Sequence, residues 1–136
     1  MNVKRLAMGV VAAWVVSIVL GYVVNEVLLA GLYSANAAAY RPEAELMANL
    51  PIGFGFTLVG MFVFGYIYVK GYEGGSGVVE GARFGALMGV VLSFMAVNWI
   101  WATMPISFSL AAAMMVDYVI EAAIYGAIIG GIYKKA

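Results

Sequence analysis

The 136-residue sequence has no cysteine and no histidine, only three prolines, and few charges: seven basic and seven acidic residues, 10% of the chain. Without Cys there is neither a disulfide frame nor a thiolate metal site. Without His, the usual axial ligand of haem and the commonest ligand of zinc or copper is missing. Redox or metal chemistry carried by this chain alone is therefore not expected, and no cofactor is assigned. A formal net charge of zero with no basic run argues against nucleic acid. The scarcity of charge also excludes a small water-soluble domain. With 65% hydrophobic residues and a mean hydropathy of +1.01, so short a chain cannot cover its apolar surface. The expected partners are the lipid bilayer and either other membrane-protein subunits or further copies of the chain.

What is present is a series of four long apolar runs. Crossing the ~30 Å hydrocarbon layer takes about 20 apolar residues per helix, and runs at about 6–32, 52–69, 79–103 and 108–133 suit that length. They leave no room for a soluble domain, so residues 1–136 read as a single transmembrane domain. The expected fold is all-α, an integral membrane four-helix bundle of two antiparallel helical hairpins. Lys4 and Arg5 before the first run, with Ala35-Asn36-Ala37 after it, imitate a signal peptide. The run is about twice the usual apolar stretch of roughly 7–15 residues, so it is expected to persist as a helix.

Ser34 to Leu50 reads as the longest polar connection, with Pro51 opening the second helix, where its missing N–H costs nothing. The glycine-rich connection Gly71 to Gly77 lacks the Gly-Lys-Ser/Thr ending and preceding strand of a phosphate loop. Met104 to Ser107 is short enough to join only antiparallel neighbours.

Four crossings put both termini and the Gly71 to Gly77 loop on one side, together with Lys4, Arg5, Lys70, Arg83, Lys134 and Lys135, and leave only Arg41 opposite. By the positive-inside rule the first side is cytoplasmic, which predicts a plasma (inner) membrane protein with both termini inside. The aromatics agree: Tyr66, Tyr68, Tyr72 and Tyr133 fall near the inner boundary, and Tyr33, Tyr40, Trp99 and Trp101 near the outer one.

Small residues recur every four positions. The third run carries Gly77, Gly81, Gly85, Gly89 and Ser93, the first carries Gly9, Ala13, Ser17, Gly21 and Asn25, and the fourth adds Ala122, Gly126 and Gly130. Such ladders let helix backbones approach closely enough for van der Waals contact to drive association in lipid. They predict packing inside the bundle, or a ladder left over for another subunit. The halves also match in order: Met8-Gly9-Val10-Val11 with Met88-Gly89-Val90-Val91, and Gly65 to Lys70 with Gly130 to Lys135. A duplicated hairpin would give this parallel repeat, and so would chance among apolar segments drawn from few residue types.

The candidate site is the stripe of Asp117 and Glu121 on the fourth run, four residues apart and so on one helix face. An ionisable group at a helix centre costs roughly 2.5–3.5 kcal/mol in hydrocarbon, so this face should look into protein or water. Asn25 and Glu26 of the first run and Asn98 of the third lie at similar depth, and the five residues could meet in one outward-facing polar pocket. No Lys or Arg shares that depth. Only Arg41, with its loop folded back, could reach Glu26 or Asp117. The cluster permits three roles: hydrogen-bond donors across helices, a proton or cation path, or an acid and base pair. The last lacks any accompanying nucleophile or metal set.

The Tyr40-Arg41-Pro42-Glu43 loop, the Lys70-Gly71-Tyr72-Glu73-Gly74 connection running on through Glu80-Gly81-Ala82-Arg83-Phe84-Gly85, and the Met104-Pro105-Ile106 turn resemble a group of small bacterial four-helix membrane proteins without assigned function. That resemblance implies a single four-helix domain and no activity. The chain is therefore expected to be a non-catalytic helical subunit of a homo-oligomer or larger membrane complex. The alternative is a small oligomeric transporter or channel with Asp117 and Glu121 on its path.

Overall fold

The computed structural model describes residues 1–133, all helix and connection without a strand among them. Four stretches are long and apolar enough to cross a membrane: Val3–Leu28, Glu43–Gly71, Gly77–Thr103 and Phe108–Ile132. In chain order the helices are α1 (Val3–Val23), α2 (Ala30–Ala35), α3 (Glu43–Gly71), α4 (Gly77–Leu92), α5 (Asn98–Thr103) and α6 (Phe108–Ile132). A π turn at Val24–Leu28 ends α1, and a second at Ser93–Val97 joins α4 to α5. The cationic Lys134 and Lys135, which the charge argument used, lie outside the described residues.

The start of α3 corrects one expectation. It begins at Glu43, directly after Pro42, and Pro51 lies inside it rather than opening it. Residues Glu43 to Leu50 are mostly strong helix formers, and Glu43 and Glu45 sit in the first turn, where the helix dipole favours negative charge. Pro42 holds Arg41 out of the helical region, which fixes the boundary there. Local propensity thus carries the helix through a proline whose interior position ordinarily costs about 3 kcal/mol.

α1 lies against both α3 and α6, and α6 against both α1 and α4. The tightest contact is between α4 and α6. A Cβ on Gly77 would overlap the carbonyl of Gly130, one on Gly81 that of Gly126, and one on Gly85 that of Ala122. One on Gly89 would come within 2.6 Å of the Val119 Cα. The numbers fall along α6 as they rise along α4, so the two helices run antiparallel with their small-residue ladders face to face. At the far end the Ser93 hydroxyl lies 2.7 Å from the Gly89 carbonyl and 2.9 Å from the Met115 carbonyl, sharing its proton between the helices.

Around α3 the contacts are made by side chains. Leu6 and Val10 fill the space beside Gly65 of α3, and the Trp14 indole N–H donates to the Phe54 carbonyl at 2.9 Å. α3 meets α4 through rings: Phe84 stacks at 4.9 Å from Phe64 and 5.6 Å from Tyr68, whose hydroxyl donates to the Gly77 carbonyl at 3.2 Å. The connection beneath is tied by Glu80, whose carboxylate accepts from the backbone N–H groups of Glu73 at 2.6 Å and Gly75 at 3.1 Å. A core of Leu6, Val10, Ala13, Met61, Tyr68, Ile129 and Tyr133 thus closes the end that carries residue 1. At the opposite end a second core gathers Val97, Ile106, Leu110, Ala111 and Met114 without α3, in which no residue before Met61 is buried.

The matched segments of the two halves do not occupy equivalent places. Gly89 packs on α6, its own successor, whereas Gly9 also packs on α6, where an added Cβ would lie 3.2 Å from the Ile129 Cα, rather than on its own successor α3. A pseudo-twofold would have required the second arrangement to copy the first.

Candidate functional site: the acidic stripe of α6

Asp117 and Glu121 project from one face of α6, beside the ladder of Ala122, Gly126 and Gly130, and both are half-buried. One turn further along, the Tyr125 hydroxyl donates to Oε2 of Glu121 at 2.5 Å, a short contact. Tyr125 itself packs against the core of the closed end. Glu121 is therefore anchored from below, while Asp117 has no hydrogen-bond partner among the described residues.

Toward the open end the stripe is met by tyrosines. Tyr33 of α2 and Tyr40 of the following connection stack with ring centroids 5.7 Å apart, and both pack with Tyr118 around the second core. Burial first, then the phenols of Tyr40 and Tyr118, then Asp117 and Glu121, push the Tyr33 phenol up to about 12. The Tyr40 hydroxyl is buried without a hydrogen-bond partner among the described residues. Three phenols, Tyr33, Tyr118 and Tyr125, thus border the carboxyl pair. Their signal in the sequence was local: Tyr118 adjoins Asp117, and Tyr125 stands four residues beyond Glu121, the spacing at which helix side chains meet.

The rest of the expected cluster does not assemble. Asn25, Glu26 and Asn98 are exposed, and no hydrogen bond joins them to Asp117 or Glu121 among the described residues. The reason is helical winding. Each four-residue step overshoots a full turn by about 40°, so a ladder that starts against α6 at Gly9 and Ala13 has swung roughly 160° by Asn25. Gly21 accordingly has open space where its Cβ would be. Arg41 does not fold back either. It pairs with Glu45 at 3.2 Å, an exposed i,i+4 contact of small energetic weight. A cleft of about 500 Å³ at this end is lined by Ala39, Tyr40, Arg41, Leu46 and Met104 rather than by the carboxyls.

Among the described residues no three acidic side chains converge as a metal set would. Compared with protein-family models, curated proteins and solved structures, the chain matches none.

Proposed function

We propose that this chain is a non-catalytic multi-pass membrane protein, two antiparallel helical hairpins in the plasma (inner) membrane with both termini cytoplasmic. It works as a small subunit of a homo-oligomer or of a larger membrane complex. One observation carries the reading: within the apolar spans, Asn25, Glu26 and Asn98 are exposed and Asp117 and Glu121 are only half covered. Polar groups left against hydrocarbon are costly, so further protein must cover them. Gentle extraction followed by native mass measurement and identification of co-purifying chains tests this. A monomer that retains no other chain would refute it. The topology has its own test in this cysteine-free sequence: Ser76→Cys should react only from the cytoplasmic side and Ala38→Cys only from outside.

A second reading, a small oligomeric transporter or channel, is favoured by the Glu121–Tyr125 hydrogen bond and the phenols that continue from it toward the open end. Carboxyls and hydroxyls in sequence suit proton or cation transfer. Reconstituted vesicles with an interior pH dye and an imposed gradient distinguish the two. A flux in wild type that disappears in Glu121→Gln, with assembly preserved, would replace the first reading by this one.

A further inference from the structure

The apolar stripe of α3 outlasts its cover. Leu46, Leu50, Phe54, Leu58, Met61 and Gly65 follow one another at three- or four-residue spacing and stay within about 60° of Met61 around the helix, so they form one face. Met61 and Gly65 are buried and Leu58, Phe54 and Leu50 half-buried, but Leu46 is 39% exposed, and Met47 on the same face is 58% exposed. Leu46 is also one wall of the cleft of about 500 Å³ whose far side is formed by Ala39, Tyr40 and Met104, all three packed on the second core. The stripe and that core thus face each other across a gap. The gap opens where the helix is weakest. Pro51 has no N–H to give the Met47 carbonyl, and Gly53 and Gly55 follow it in open space. Directly below, the Trp14 indole holds the Phe54 carbonyl at 2.9 Å, which ties the helix to α1 on the inner side of the proline. On the outer side, Glu43 to Leu50 makes no hydrogen bond to another helix among the described residues.

We propose that the first two turns of α3, Glu43 to Leu50, are a hinged flap that swings about Pro51 toward the second core and closes the cleft by seating Leu46 on Met104 and Tyr40. Each part of a hinge is present: an anchor at Phe54, a proline and two glycines that weaken the helix, and a short free arm with few contacts. The arm is also the right kind of surface. Its apolar residues Leu46, Met47 and Leu50 share the face toward the gap, whereas Glu45 and Asn49 lie on the far side and stay in water when it closes. At the outer boundary, unlike in the hydrocarbon, removing Leu46 and Met47 from water carries a hydrophobic gain that favours closure. Closed, the flap covers Tyr40, which stacks on Tyr33, and so shuts off the tyrosine cluster beside the carboxyl pair. The inference holds whether the chain works as a subunit or as a transporter.

The test uses the full, cysteine-free chain in phospholipid vesicles. Spin labels on Ala48→Cys in the flap and Ser109→Cys at the start of α6, both exposed positions, should give two distance populations. Labels on Val59→Cys, on the inner side of the hinge, and Ser109→Cys should give one narrow population. Pro51→Ala returns an N–H to the Met47 carbonyl and should merge the first pair's populations into one, with helical circular dichroism retained. Independently, Leu46→Cys with Met104→Cys should close an intramolecular disulfide on mild oxidation. Adding Pro51→Ala should slow that closure about fivefold, because the restored hydrogen bond must break before the flap swings. A single narrow Ala48 to Ser109 distance without the proline change would overturn the flap. A spread or a cross-linking rate that Pro51→Ala leaves unchanged would overturn the hinge on which it depends.

Discussion

Along α4 and α6 the backbones meet at one small residue after another, whereas α1 and α3 meet through Leu6, Val10 and Trp14 and part company toward the open end. Both pairs are drawn from similarly apolar sequence, so hydropathy does not distinguish them. Register does. On α4 and α6 the ladders drift together, each helix following the other's rotation, and contact persists from Gly77 through Ser93. The α1 ladder is fully buried only as far as Ala13, and by Gly21 it has open space before it. In lipid, where burying apolar surface against a neighbour brings no hydrophobic gain, complementary shape decides which helices bind tightly.

The sharpest way to break this contrast is Gly85→Leu or Gly89→Leu. Either side chain would have to displace α6 backbone, and a loss of about 3 kcal/mol or more is expected by analogy with severe overpacking, read as a lower midpoint in detergent denaturation. Unchanged stability in both variants would mean that the α4–α6 contact contributes little. A smaller effect is expected at the acidic stripe. Glu121→Leu leaves the Tyr125 hydroxyl without its acceptor and should cost roughly 1–3 kcal/mol, whereas Glu121→Gln keeps an acceptor and should cost less. Equal losses in the two would show that the hydrogen bond is not what holds that face. Smaller again is Tyr68→Phe, which removes one hydroxyl from the Gly77 carbonyl where α3 reaches toward α4. About 1 kcal/mol is expected, measured in the same denaturation series. At the bottom of the scale is Gly60→Ala on α3, whose added Cβ meets no atom within 4 Å and which should fall within about 0.5 kcal/mol of wild type. A large loss there would reveal a contact that this chain alone does not make.

The four spans were legible because length and apolarity alone mark a membrane-length helix, and the face-to-face pairing of Gly77, Gly81 and Gly85 with Ala122, Gly126 and Gly130 was legible as two ladders, though not as partners of each other. The start of α3 was misread because Pro51 drew the boundary, while the helix-forming run Glu43 to Leu50 outweighed it. At the candidate site, Asp117 and Glu121 were visible from their spacing, which puts them on one face of α6. Their companions were not, for a geometric reason. Equal depth along a helix axis says nothing about azimuth, so Asn25 and Asn98 could be given a height but not a direction. The π turns at Val24–Leu28 and Ser93–Val97 left no composition signal that would have shown where the helices change their winding.

The position of α6 between α1 and α4 has a consequence for how the protein is made. A growing chain emerges N-terminus first, so α1 and α3 leave the ribosome with only their side-chain contacts to each other, and α4 follows with its glycine face bare. Neither the closed-end core, which needs Ile129 and Tyr133, nor the glycine contact, which needs Gly126 and Gly130, can form until the fourth span has been synthesised. During that interval the nascent helices are without their main partner. A chain halted before residue 108 should therefore insert yet remain unassembled and exposed to quality-control proteolysis, its lifetime rising sharply once α6 is included.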